Sequence, residues 1–523
     1  MAELPFFTSE EGRGHFLALL FFLSASLIVV WGSWQGTLPG SDEAVLAERG
    51  REILSTGDPI TMHFDGGAVY DTPPLAPWLM ALFYRLFGTS TFTARLPFVL
   101  LSILALYLML CAGREASRDW NAAGDPGPAP AEAAQRSRIY WGALPMAVGF
   151  FSAAVLAASP LFGKFAPRVT LALPLACCTT LALLGWLSLP AKRIGLLLWG
   201  AGVAGCILSG GGGGLFVAAG GILAALADGG RRSLLRTGGL VASTLIGVAI
   251  GGLWLFPETA RSGEGVLRSA LWAPVALVVQ FPAGALSRAF GSFTNLWLRN
   301  LPWSIPATAA VVKMLFLRGG RRRNALVGGV DLALLVFATI VFVPLSLAGP
   351  GTLSAFLPVL PFAAIISARE VARWLARPGH DLAKRVWTLD HVTTALFCLF
   401  MLLVVATPVN IRRPVNDPIE DVAKMAARLT PGGERIGNFA QPYDAQCARM
   451  LFYGGRSLEK PLGSDREVAA ALAANPRMIV LSSARDVASL RSAGGFPFDI
   501  KILYGAGDLV LFGAREPRSP DAP

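Results

Sequence analysis

The chain has 523 residues, of which 54% are hydrophobic and 15% charged, against about 25% charged in an ordinary soluble domain. Its apolar residues gather in uncharged runs close to the roughly 20 residues a helix needs to cross a bilayer. That excludes a soluble enzyme and indicates a polytopic α-helical membrane protein. The net charge of +11 sits in short Arg clusters between those runs, without interleaved aromatics, so it marks topology rather than a nucleic-acid surface.

In chain order, Glu3, Glu10 and Glu11 precede the apolar run 16–34, which has no A-x-A cleavage site and reads as a retained span with a cytoplasmic N-terminus. A long outer loop, 35–95, follows. Within it, 75–87 is apolar but too short to span and carries Arg85, as expected of a helix lying along the interface. Further spans are expected at 96–112, 139–158, 169–189, 194–208, 215–227, 240–256, 301–317, 327–347, 353–368 and 389–407, making eleven. The connections that this count puts inside hold Arg114, Arg118, Lys192, Arg231, Arg321 and Arg373, among others. The outer turns near Lys164, Gly210 and Gly349 are almost bare, which fixes orientation by the positive-inside rule. The apolar stretch 270–286 is interrupted by Pro274, Gln280 and Pro282 and is expected to be interfacial or re-entrant. The inner loop 113–138 is Gly/Pro-rich and reads as a flexible connection. Ser209 is followed by five glycines, but no Lys-Ser/Thr completes a phosphate loop, so a tight turn or close helix packing is expected there.

Beyond residue 409 the composition turns polar. Strand-like runs at 478–481, 500–504 and 509–512 alternate with helix-like segments at 465–473 and 484–493, the pattern of a small α/β domain outside the membrane. The tail 516–523 is expected to be disordered. The expected domains are therefore 1–408, membrane-embedded, and 409–523, extracytoplasmic. Five of the six cysteines lie in apolar runs and the four histidines are scattered, so no disulfide framework or His-built metal centre is expected. His63 reads as a loop hydrogen-bonding residue. Ionic chemistry must rest on carboxylates, Arg and Lys.

The outer loop carries the densest set of such groups. Ser41 can cap a helix whose first turn holds Asp42 and Glu43, where carboxylates face unpaired N–H groups and the positive end of the dipole. At a membrane edge the same acids can deprotonate an acceptor or hold a divalent cation against a lipid phosphate. After the helix come Gly57-Asp58-Pro59, Asp65-Gly66, and Tyr70-Asp71-Thr72-Pro73-Pro74 with Trp78, then Leu86-Phe87-Gly88 and Ala94-Arg95-Leu96-Pro97.

Over 40–97 this order resembles the first outer loop of polyprenyl-phosphate-dependent glycosyltransferases of the GT-C fold, in particular the bacterial aminoarabinose transferases and the protein O-mannosyltransferase-like group. The resemblance implies a GT-C-like fold of about eleven transmembrane helices in the cell (inner) membrane. It also implies transfer of a sugar from a polyprenyl-phosphate donor to an extracytoplasmic lipid, glycan or protein acceptor. Asp42 resembles the acid that acts as base or metal ligand, for a divalent cation such as Mg or Mn, with Glu43 beside it. Asp71 resembles the acid that precedes the double proline. Arg51 and Glu52 match the R-E of the loop helix, and Tyr70 opens the turn. Lys164 and Arg168 fall at the second outer turn and, like an Arg of the loop 258–299, offer cations to a phosphate. The chain departs from the pattern where Thr72 replaces the Lys before the prolines and Val169 replaces an Asp. It also lacks basic residues ahead of Leu357-Pro358. The competing expectation is a non-catalytic relative that binds lipid-linked glycan or scaffolds a surface-polysaccharide assembly. A transporter is third, since spans carry almost no ionisable residues and no internal repeat is visible.

Overall fold

The computed structural model describes residues 36–38, 40–117, 148–189, 191–280, 283–316, 329–347, 353–375, 417–431, 434–493 and 499–514, with positions 26, 30 and 145. Apart from positions 26 and 30, the expected span 16–34 lies outside the described residues, as do the span 389–407, the part 118–138 of the inner loop and the tail 516–523. Two compact units emerge, one holding Tyr70–Ala76 and Arg95–Arg413, the other Trp34–Val69, Pro77–Ala94 and Pro414–Pro523.

The helices in chain order are α1 (Gly40–Thr56), α2 (Leu75–Phe87), α3 (Thr91–Ala116), α4 (Val148–Ala157), α5 (Pro160–Phe165), α6 (Ala172–Ser188), α7 (Ile194–Gly210), α8 (Gly212–Ala227) and α9 (Gly229–Arg236). They continue as α10 (Gly239–Gly252), α11 (Leu255–Ser262), α12 (Ala273–Gln280), α13 (Ala285–Arg299), α14 (Ser304–Phe316), α15 (Gly329–Leu347) and α16 (Leu360–Leu375), with a π-helical segment Leu267–Trp272 before α12 and a 3-10 segment Leu353–Val359 before α16.

Among the described residues, three helical stretches are long and apolar enough to cross a membrane: Thr91–Ala116, Gly329–Leu347 and Leu353–Arg373. Helices α10 and α11 would make a fourth if taken as one span, but they bend by 42° where a single span 240–256 was expected. Helices α4, α6, α7, α8 and most of α14 are apolar but only 10–17 residues long. The stretch 270–286 is no continuous helix: it is shared among the π-helical segment, α12 and the start of α13.

Small residues decide how the larger unit packs. An added Cβ on Gly185 would lie 2.3 Å from the Trp199 nitrogen, and one on Gly202 would lie 2.4 Å from the Ala182 nitrogen. With Gly205 against Cys178 and Gly210 against Leu175, this register makes α6 and α7 an antiparallel pair in backbone contact, the packing that small residues permit where lipid removes the hydrophobic drive. Phe337 of α15 then fills the space between Trp186, Trp199 and Phe362, with ring centroids 6.3, 5.9 and 4.7 Å away. At one end of α14, α15 and α16 lies a buried charge network that the sequence reading missed. Asp331 accepts from Arg369 Nε at 2.8 Å and Nη2 at 3.2 Å and also pairs with Arg373, while Glu370 pairs with Lys313 and Arg373.

In the smaller unit, β1 (Met62–Phe64) and β2 (Gly67–Val69) form a hairpin. A four-stranded sheet runs β3 (Gly437–Asn438), β4 (Val480–Ser483), β6 (Leu509–Ala514), β5 (Ile500–Ala506), with β3 parallel to β4 and the remaining pairs antiparallel. Four helices flank it: α17 (Ile419–Leu429), α18 (Tyr443–Gly454), α19 (Asp465–Ala474) and α20 (Ala484–Ala493). Strand alternation sorts the core into two layers. Ile479, Leu481, Leu509 and Leu511 pack with Val422, Cys447 and Met450, while Val480, Val510 and Phe512 pack with Val468, Leu472, Val487 and Leu490.

The unit is larger than the expected domain 409–523, because outer-loop residues complete it. Phe64 joins the first core layer. Leu38 donates its N–H to the Tyr453 hydroxyl at 2.7 Å, and the buried Arg449 reaches the Leu38 carbonyl at 3.3 Å and Asp417 at 2.5 Å. Tyr84 sits beside Phe452, with ring centroids 6.3 Å apart.

Candidate functional site

Helix α1, in the smaller unit, presents Asp42 on its surface in the first turn, where the unpaired amides favour a carboxylate. The helix begins at Gly40, one residue ahead of the Ser41 expected to cap it. Three more acids of α1, Glu43, Glu48 and Glu52, are buried. Glu48 receives both arms of Arg51, Nε at 2.8 Å and Nη2 at 2.5 Å. Burial pushes the Glu48 carboxyl above its ordinary range against the pull of Arg51, and the bond to Glu48 raises Arg51 in turn. Arg51 is thus engaged within its own helix, with a partner four positions from the nearest singled-out acid.

Glu52 accepts the N–H of Asp65 at 2.7 Å and that of Gly66 at 3.4 Å. These two residues form the β1–β2 turn with φ of 53° and 74°, the left-handed region that Asp and Gly tolerate best. Burial raises the Glu52 carboxyl, opposed by these two amides. Asp65 in turn accepts from the Tyr443 hydroxyl at 3.0 Å and pairs with Arg435 at 3.2 Å. The Trp78 indole donates to the Pro59 carbonyl at 2.6 Å. A Gly50 Cβ would meet the Met80 Cβ at 2.8 Å, so α1 and residues 77–87 pack closely.

The turn Tyr70–Ala76 belongs to the larger unit. Thr72, Pro73 and Pro74 are buried while Asp71 is exposed, and the Thr72 hydroxyl donates to Asp71 Oδ1 at 3.0 Å. Ser269, on the π-helical segment, donates to the Tyr70 carbonyl at 3.0 Å. Gly211 approaches from the other side. Its φ is 53°, and a Cβ there would lie 2.3 Å from the Ala270 carbonyl oxygen and 3.6 Å from Pro73. The glycine run after Ser209 is therefore a close-packing element that abuts the Asp71 turn. Nothing in the sequence linked Gly211 or Ser269 to that turn, because the contacts span more than a hundred residues.

Lys164 and Arg168 lie on and just after α5. Ser159, which caps α5, hydrogen-bonds Asn300 Oδ1 at 2.5 Å, bringing the end of α13 and its exposed Arg299 to the same place. Partial burial lowers the Lys164 ammonium, and Arg168 and Arg299 lower it further. Val169, where the resembled pattern has an acid, is buried, so that position supplies no carboxylate next to Arg168.

Among the described residues no three His, Cys, Asp or Glu side chains come together as a metal cage. The divalent cation implied by the resemblance would have Asp42 alone to hold it on α1's surface. Among the described residues, α1's surface thus offers a metal ion one carboxylate.

A family model described as dolichyl-phosphate-mannose-protein mannosyltransferase matches residues 71–123, beginning at the Asp71 turn. In three dimensions the chain is similar to ArnT from Cupriavidus metallidurans bound to undecaprenyl phosphate, with 16% identity, coverage of 94% of this chain and 97% of that one, and a TM-score of 0.63. It is also similar to two structures of the Archaeoglobus fulgidus oligosaccharyltransferase. One is tethered to an acceptor peptide, at 13% identity, 89% and 69% coverage and a TM-score of 0.54. The other, AglB, is in complex with an inhibitory peptide and a dolichol-phosphate, at 14% identity, 97% and 75% coverage and a TM-score of 0.51.

Proposed function

We propose, from the premise that this chain carries the GT-C glycosyltransferase fold, that it moves a sugar from a polyprenyl-phosphate donor to an extracytoplasmic lipid, glycan or protein. The observation that carries the reading is the Asp71 turn. It heads the residues matched by the family model, it is packed from two sides by Ser269 and Gly211, and its buried prolines leave the carboxylate exposed. A carboxylate on a stiff turn can accept the proton of an attacking hydroxyl or amine, and Asp42 is the alternative carboxylate for that role. The phosphate leaving group needs cations, which Lys164, Arg168 and Arg299 can supply in place of the Lys that Thr72 replaces. We place the protein in the inner membrane with residues 414–523 outside.

The second reading, a non-catalytic relative, is favoured by one contact: Thr72 spends its hydroxyl on Asp71 where the resembled enzymes carry a cation. The purified protein, reconstituted with undecaprenyl-phosphate-linked sugars and membrane extract as acceptor, separates the two. As an enzyme it transfers, Asp71→Asn loses about a hundredfold to ten-thousandfold in rate, and Thr72→Lys retains transfer. Binding without transfer by the parent protein favours the second reading.

A further inference from the structure

Within the larger unit, the Asp71 turn is gripped by a segment whose backbone is not α-helical. Pro274 has no N–H, so the Ala270 carbonyl lacks the donor that an α-helix supplies four residues on. Leu267–Trp272 takes up a wider π-helical turn instead, a form frequent at functional sites. One side of this segment is closed by backbone contacts. A Cβ on Gly211 would lie 2.3 Å from the Ala270 carbonyl oxygen and 3.6 Å from Pro73, and a Cβ on Gly212 would lie 2.0 Å from the Leu271 carbonyl oxygen. Ser269 divides its hydroxyl between the Tyr70 and Gly265 carbonyls, each at 3.0 Å. A shift of the segment is therefore transmitted to Tyr70–Ala76.

The other side is open. Arg268 and Trp272 are both exposed, Trp272 by 51%, and in a turn closed by i→i+5 bonds residues four apart fall on nearly one side. Arg268 has no ion-pair partner among the described residues. Leu267 and, on α12, Val279 are exposed as well. Indole, guanidinium and aliphatic carbon together suit the headgroup layer of a bilayer, where Trp is enriched and Arg meets lipid phosphate. A soluble acidic partner would leave the apolar members of the face without a counterpart.

We infer that the open face of Leu267–Trp272 anchors the protein to anionic phospholipid headgroups and that this anchor steadies the Asp71 turn packed against its other side. Arg268 takes the lipid phosphate, Trp272 and Leu267 enter the apolar edge of the headgroup layer, and the contacts at Tyr70 and Pro73 carry the restraint to the turn. Arg268 and Trp272 are positioning residues on this account. The inference does not rest on sugar transfer and would hold equally for a non-catalytic chain.

The test is hydrogen–deuterium exchange of the full-length protein in nanodiscs of phosphatidylcholine alone and of phosphatidylcholine mixed equally with phosphatidylglycerol, read over 267–273 and over 70–76. The mixed discs should slow exchange in both stretches by about fivefold, the attraction expected of one Arg at an anionic surface. Arg268→Gln should remove that response in both stretches, whereas Glu264→Gln, which takes away an exposed acid four residues earlier, should enlarge it. Trp272→Ala should speed exchange in both stretches in either disc, with unchanged exchange in α6 and α7 showing that the fold is kept. A response confined to 267–273 would reduce the face to ordinary lipid contact and overturn the inference, as would a response at 70–76 that survives Arg268→Gln. The absence of any response to phosphatidylglycerol would overturn it outright.

Discussion

Residues 414–514 alone should be markedly less stable than the same residues joined by a flexible linker to 36–69. Cutting away the outer-loop segment removes the Tyr443–Asp65 hydrogen bond, the Arg449–Leu38 contact and the Leu38–Tyr453 hydrogen bond. It also bares the core face on which Phe64 sits. Bonds to charged groups are worth about 1.5–3 kcal/mol and neutral ones about 0.5–1.5 kcal/mol. The two charge-assisted bonds and the neutral one therefore sum to about 3.5–7.5 kcal/mol, before any apolar burial is counted. A domain of this size has about 5–15 kcal/mol in all, so the short piece should melt at low temperature or not cooperatively. Urea titration of both pieces, followed by circular dichroism, reads the difference directly. Equal midpoints would refute the reasoning and return the outer-loop segment to the status of a passive neighbour.

Arg369→Met should destabilise the full-length protein in detergent by about 3–5 kcal/mol, because it strips the bidentate partner from buried Asp331, and Arg369→Met with Asp331→Leu should recover much of the loss; thermal denaturation followed by size exclusion reports both. Gly202→Ala should abolish the monodisperse fold, since its Cβ would lie 2.4 Å from the Ala182 nitrogen, whereas Gly163→Ala, with nothing within 4 Å, should be silent in the same assay. Because burial raises the folded-state Glu48 carboxyl, its contribution to stability is full below the ordinary carboxylate range and is lost as pH rises through the raised value. The melting temperature of the parent protein relative to Glu48→Gln should therefore increase as pH falls from 7 towards 5, and a constant or decreasing difference would contradict the cause assigned.

What the sequence disclosed follows from how far its signals reach. Hydrophobic runs placed most of the described helices of the larger unit, and short apolar runs of strand length placed β4, β5 and β6, because both patterns are local. The sequence could not show that 34–69 shares a core with 414–523, since Leu38 and Tyr453 are joined across some four hundred residues by one hydrogen bond. Arg51 and Glu52 matched a motif, yet their partners are Glu48 and the Asp65–Gly66 amides, a reminder that a motif records residue type and not the bond it makes. Asp331 sat unremarked at the edge of an apolar run because its arginine partners lie on another helix. Ser269 escaped for the same reason: it bears on a candidate site only through a contact made by the folded chain.

The central claim, transfer from a polyprenyl-phosphate donor, is tested most directly by profiling lipid-linked sugars in cells with the gene, without it, and with Asp71→Asn at equal membrane abundance. The account predicts that a polyprenyl-phosphate-linked sugar accumulates in the deletion and equally in the Asp71→Asn strain, with the glycosylated acceptor absent from both. An unchanged lipid profile in the deletion, or full complementation by Asp71→Asn, would contradict it.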